Sequence, residues 1–207
     1  MTNRKTHDPD VRAARAGTRM WALLAIAVFA MAADLLSKIL VVSHVSPTDP
    51  PIRTLGGAIY ILQARNSGAA FSLGTGSTAI LTAISLIVAA VIVRAARKLT
   101  SSGWAFALGL VLGGAIGNLI DRFFRSPSPG RGHVVDWISL FADDGHVWPI
   151  FNLADSAIVL GGAIAVVLSI RGVDFSGGRS GQDEHATSEN VAGSQDETPP
   201  TESGAHG

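Results

Sequence analysis

The sequence predicts an all-α membrane protein with four transmembrane helices and a small extracytoplasmic β-hairpin. Three observations carry that prediction. Four apolar stretches reach spanning length: Met20–Val42, Gly74–Val93, Gly103–Ile120 and Ile150–Ile170, and a bilayer core of about 30 Å needs about 20 helical residues at roughly 1.5 Å each. The composition agrees, at 47% hydrophobic, 15% charged and a mean hydropathy of +0.35, where a water-soluble domain carries about 25% charge. The third observation is an asymmetry of Lys and Arg between alternate polar segments.

Span one follows a basic stretch holding Arg4, Lys5, Arg12, Arg15 and Arg19. A cleaved signal peptide is the weaker reading, because the apolar run continues past Ala30-Met31-Ala32 to Val42. Arg94, Arg97 and Lys98 separate spans two and three, and Arg171 and Arg179 follow span four. Positive residues gather on the cytoplasmic side, so both termini are expected there and segments 43–73 and 121–149 on the opposite face. In the first of these, Ile52–Gln63 carries β-branched and aromatic residues around Gly56-Gly57 and predicts a hairpin lying on the membrane surface. In the second, Ser126–Gly132 reads as turn and coil.

Three segments are thus expected: 1–19 as an N-terminal cytoplasmic piece, 20–171 as the membrane domain, and 172–207 as an acidic tail. The formal net charge of zero hides this division, since residues 1–171 hold 15 Lys/Arg against 9 Asp/Glu and residues 172–207 hold one against seven. With few large apolar residues, the tail cannot build a packed core and is expected to be disordered.

Polar residues inside or at the rim of a span are costly and mark function or its supports. Asp34 and Lys38, four apart in span one, can neutralise each other on one helix face. A Ser37/Lys38 dyad is disfavoured because adjacent helical residues diverge. Span three carries Gly109, Gly113, Gly114 and Gly117, a spacing that admits another helix closely. At its end Asn118, Asp121 and Arg122 share a turn and predict a hydrogen-bonding cluster at the headgroup boundary. Pro149 predicts the start of helix four, placing Asp155 about a turn in, with Asn152 before it. Asp136 reaches the same depth from a loop, within His133–Trp137. Two carboxylates facing each other in a partly dry site share a proton, the working state of an aspartic protease. Spacing alone does not select Asp136 and Asp155, because Asp121, Asp143 and Asp144 lie on the same side.

The absence of cysteine removes thiolate metal sites and a Cys nucleophile. The chain has no His-Glu-x-x-His, no Gly-x-Gly-Asp and no Gly-x-Ser-x-Gly. Of the six histidines only His133 lies near the acids, where it reads as a polar loop residue. A proton-relay transporter would need acids spread through the membrane depth, and an assembly factor would leave the aspartates and asparagines unused.

Five ordered blocks then resemble a known family. Asp34–Lys38, Asn66–Ser72, Gly113–Arg122, His133–Asp136 and Phe151–Ser156 are similar to blocks of the lipoprotein signal peptidases, or signal peptidase II, bacterial membrane aspartyl endopeptidases. The resemblance covers about residues 20–171, with Leu35 standing where many members carry Gln and Ser126–Gly132 looking like a small insertion. It implies that Asp136 and Asp155 form the catalytic dyad. It further implies that Asn66, Asn118, Arg122 and Asn152 line the site, that Asp121 and Gly113 support it, and that Asp34 and Lys38 are structural. The implied substrate is a diacylglyceryl prolipoprotein cut just before its lipidated cysteine, with no metal or cofactor. The implied setting is the bacterial plasma membrane and its lipids, with globomycin-type cyclic peptides as inhibitors and no nucleic acid partner. The hairpin and the chain to Ser72 would form a surface cradle.

Overall fold

The computed structural model describes residues 9–68 and 77–175, with residues 9–16 and Ser77 as backbone only. Four helices and three strands follow in the order α1 Pro9–His44, β1 Ile52–Thr54, β2 Ile59–Asn66, α2 Ser77–Ala96, α3 Ser102–Phe124, β3 Val134–Leu140 and α4 Leu153–Ile170. Each helix contains a window long and apolar enough to cross a membrane: Gly17–His44, Thr78–Ala96, Ser102–Phe124 and Leu153–Ile170. The tail beyond Phe175 that was expected to be disordered, the start of span two at Gly74 and the cradle through Ser72 lie outside the described residues.

Helix α3 is the hub, packed chiefly on α1 and α4 and less on α2. Its glycines make the close approach possible. A Cβ on Gly113 would stand 2.5 Å from the Ala27 carbonyl, one on Gly109 2.9 Å from that of Leu23, and one on Gly114 would collide with the Ala154 carbonyl. The small residues therefore serve packing, as their spacing implied, and bring backbone against backbone without a side chain between. Outward, Phe29, Ile87, Val159 and Ile170 stay exposed, as suits helices whose outer faces meet lipid rather than water.

The end of the bundle away from the sheet is sealed by Leu23, Ile92, Leu99, Ala105 and Leu112. The chain after α4 turns back onto it. Trp104 Nε1 donates to the Val173 carbonyl at 2.8 Å, Thr100 N donates to the Phe175 carbonyl at 3.3 Å, and the Trp104 and Phe175 rings stand 5.6 Å apart. Residues 172–175 thus belong to the packed body, beyond the boundary expected at 171.

At the other end the hairpin forms as predicted, β1 pairing antiparallel with β2 through Thr54↔Ile59 and Ile52↔Ile61. Gly56 and Gly57 between them take φ of 68° and 99°, a region open to glycine at no steric cost. The hairpin also gains a third strand, because β3 pairs antiparallel with β2 and completes a three-stranded sheet in the order β1-β2-β3. Asp136 accordingly sits on a strand, opposite Ala64, and not on a loop. The reason is local: Val134–Leu140 is rich in β-branched and apolar residues, and the β2 edge was open to pair with it. The helix start expected at Pro149 is also corrected. Phe151 bridges Ile138 of β3, and α4 begins only at Leu153 with Asn152 as its N-cap.

Candidate active site

The site begins with two side chains of α1. Asp34 and Lys38 are one turn apart and both fully buried, a placement tolerable in a bundle interior only when every charge is matched. Lys38 Nζ meets Asp34 Oδ2 at 2.7 Å, Asp121 Oδ2 at 3.0 Å and the Asn118 Oδ1 at 3.1 Å. Two carboxylates and one amide oxygen thus surround the ammonium and match its charge. Asp34 Oδ1 takes the backbone N–H of Ala154 at 3.0 Å, tying the first turn of α4 to α1. Asp121 also receives the Val135 N–H at 3.1 Å and the Arg125 Nε, so one carboxylate fastens α1, α3 and the start of β3.

From this anchor the order propagates to a second pair of acids. Because Asn118 Oδ1 is taken by Lys38, its amide nitrogen is turned outward and donates to Asp155 Oδ1 at 2.8 Å. Asn152 closes a capping box on α4, its Oδ1 accepting from Asp155 N at 3.0 Å while Asp155 Oδ2 accepts from Asn152 N at 3.2 Å. The same Asn152 side chain spends its Nδ2 on Asp136 Oδ1 at 2.6 Å and on Asn118 Oδ1 at 3.3 Å. Asn66, last residue of β2, donates to Asp136 Oδ2 at 2.8 Å. One asparagine therefore joins the two acids, and a second, Asn118, joins them to the buried lysine.

The two acids differ in surroundings. Asp136 is 2% exposed and Asp155 only half-buried. Burial pushes the Asp136 carboxyl up to about 6, the negative charge of Asp155 acting in the same direction against the hydrogen bonds from Asn66 and Asn152. Arg122 lies within electrostatic range of Asp155, Asp136 and Asp121 and keeps a buried Nε with no hydrogen-bond partner among the described residues. Of the hydrogen-bonding cluster expected at the end of α3, Asn118 and Asp121 are joined through Lys38, whereas Arg122 stands apart from it. The alternatives left open by spacing separate here: Asp121 is consumed by Lys38 and Arg125, and Asp143 and Asp144 are exposed, Asp144 beside His146 at 2.5 Å. Among the described residues no group of three or more His, Cys, Asp or Glu is placed to hold a metal ion.

Two contributors escaped the sequence reading. Gly132 donates its N–H to the Arg122 carbonyl at 2.9 Å, and a Cβ there would stand 2.7 Å from the Arg125 carbonyl, so it lets the loop fold onto the end of α3. The dual duty of Asn152, cap and bridge, had a signal in the Asn-x-x-Asp spacing before an apolar run.

Comparison with known proteins places this arrangement. The family described as Signal peptidase (SPase) II matches residues 26–171. A lipoprotein signal peptidase of Rhodococcus jostii is 46% identical over 159 residues, covering 77% of each chain. One of Mycobacterium leprae is 46% identical over 157 residues, covering 76% of this chain and 75% of its own. A solved bacterial membrane enzyme superposes with a TM-score of 0.63 at 27% identity, covering 75% of this chain and 94% of that one. With the match running from within α1 to the end of α4, the chain belongs to the signal peptidase II family.

Proposed function

We propose that this protein is a membrane-embedded aspartyl endopeptidase that removes signal peptides from diacylglyceryl-modified prolipoproteins, cutting before the lipidated cysteine. Family membership and relatives named lipoprotein signal peptidase support the activity. The observation that carries the mechanism is the joining of Asp136 and Asp155 through Asn152 at the rim of the spans.

In this reading Asp155 is the general base. Both its oxygens already accept N–H bonds, from Asn118 and Asn152, which holds the carboxyl group in one orientation. Asp136 is the partner that holds the proton, because its burial and the neighbouring charge both resist ionisation. A lipid-bearing substrate lying over the rim excludes further water and pushes the same way. Asp155 takes a proton from water as the oxygen attacks the scissile carbonyl, and Asp136 donates to the developing oxyanion. Collapse of the tetrahedral species passes a proton to the leaving amine and restores the pair. Arg122, whose Nε has no hydrogen-bond partner among the described residues, is suited to a substrate backbone carbonyl, and Asn66, Asn118 and Asn152 hold the acids in position. Asp121 and Gly113 support from behind, and Asp34 with Lys38 is structural.

The excess of Lys and Arg on the segments opposite the sheet supports cytoplasmic termini and a site near the outer leaflet of the bacterial plasma membrane. That is where a substrate anchored by both signal helix and acyl chains presents its cleavage point. The deciding experiment is cleavage by the purified protein of a synthetic prolipoprotein with and without the diacylglyceryl group, with and without globomycin. Globomycin-sensitive cleavage of the lipidated form alone is expected; equal cleavage of both forms overturns the reading.

A further inference from the structure

On the far side of β2 from the acids lies a cleft of about 390 Å³ lined by Arg65, Phe124, Arg125, Ser126 and His133. Its position follows from strand geometry. Neighbouring residues of a strand point to opposite faces, and Asn66 points to Asp136, so Arg65 points away from the peptidase site. No acidic side chain lines the cleft. Arg125 is held by Asp121 through its Nε, which fixes the guanidinium and leaves its terminal nitrogens available. Among the described residues the Arg65 guanidinium and the His133 ring have no hydrogen bond or ion pair, and Arg65 is exposed. Phe124, the last residue of α3, is 85% exposed and gives this cationic cleft an apolar lip where a spanning helix leaves the membrane.

A guanidinium fork matches the paired oxygens of a phosphate, and an exposed phenyl ring at a helix end suits an acyl chain more than water. From this juxtaposition we propose that the cleft binds the phosphodiester headgroup of an anionic phospholipid of the surrounding leaflet. Arg65 and Arg125 contact the phosphate, His133 lies at its edge, and the acyl chains descend past Phe124. The bound lipid is separate from the peptide substrate and braces β2 and the α3 terminus, the two elements that deliver Asn66 and Asn118 to the acids.

The test uses the full-length protein in detergent, mixed with equal amounts of phosphatidylglycerol and phosphatidylcholine and read by native mass spectrometry. The wild type should retain one phosphatidylglycerol with about tenfold preference, because both lipids offer the phosphate but the choline cation of phosphatidylcholine faces two guanidinium groups, a repulsion of about one surface charge pair. Arg65→Gln should lose that preference with an unchanged melting temperature, since Arg65 supports nothing in the fold, and His133→Gln should weaken it less. Equal retention of both lipids by the wild type overturns the proposal, as does an unchanged preference in the Arg65→Gln, His133→Gln double variant. Displacement of the lipid by millimolar inorganic phosphate also overturns it, by assigning the cleft to free phosphate.

Discussion

The protein holds two pairs of aspartates within one hydrogen-bonded network, and they are treated in opposite ways. Asp34 and Asp121 share the ammonium of Lys38 and take further N–H donors, so their charge is matched on the spot. Among the described residues Asp136 and Asp155 receive only amide donors from asparagines and backbone, and no cation is in direct contact with either. A carboxylate with an ammonium against it is an anchor. Asp136, buried with only neutral donors, is instead held against its charge. Asn118 stands between the two regimes and turns the fixed geometry of the first into the orientation of the second.

That contrast can be broken at its chemical half first. Asp136→Asn and Asp155→Asn should each lower cleavage of lipidated substrate by about a thousandfold or more, the scale of lost general acid–base catalysis, with normal amounts of protein in the membrane. Turnover by either variant near the wild-type rate would place the chemistry elsewhere.

The structural half should fail differently. Lys38→Met leaves Asp34 and Asp121 buried without their cation, a loss of about 3–5 kcal/mol. Sharply reduced accumulation and melting temperature are expected, and a well-folded, inactive Lys38→Met protein would move Lys38 into the chemical group. Gly114→Val tests the packing that holds both halves together, since its side chain would run into the Ala154 carbonyl. Overpacking of about 1–3 kcal/mol should appear as a lower melting temperature with activity lost in proportion.

Smaller, and more discriminating, is the pH dependence. Asp136 has a folded value of about 6 against 3.8 unfolded, so between these values the folded protein binds more protons. Its stability must therefore fall as pH rises from about 4 to about 6, by at most about 3 kcal/mol. Asp136→Asn should melt higher than wild type at pH 7 and no higher at pH 4. Equal melting temperatures at both pH values would show that Asp136 is not held against its charge. The smallest effect is expected at the tail: deletion of residues 177–207, which spares the Trp104–Phe175 contact, should leave cleavage unchanged.

Much of this contrast was legible before any coordinates. The Asp34–Lys38 pair followed from helical periodicity, and the stripe Gly109-Gly113-Gly117 announced close packing. The acids could not be ranked that way, because Asp121, Asp136 and Asp155 are alike in type and depth, and the resemblance to the family did the ranking. The third strand went unread because the partner of Val134–Leu140, β2, lies about 70 residues away in the chain. Pro149 misled for a related reason: Ile150 and Phe151 continue the apolar run of α4, yet Phe151 is drawn into a bridge with Ile138 and the helix waits for Asn152.

The sequence by itself determined four spans, the hairpin around Gly56-Gly57, the small-residue face of α3 and the presence of polar groups at one rim. Those features depend on local periodicity and composition, which the chain carries in every conformation. Only the tertiary structure decided which aspartates stand against an ammonium and which meet amide donors. That distinction depends on what stands against each carboxylate, and the neighbours come from distant stretches: Lys38 against Asp121, Asn66 against Asp136, Asn118 against Asp155. In a bundle interior with little water, such contacts alone set whether a charge is matched or a proton kept.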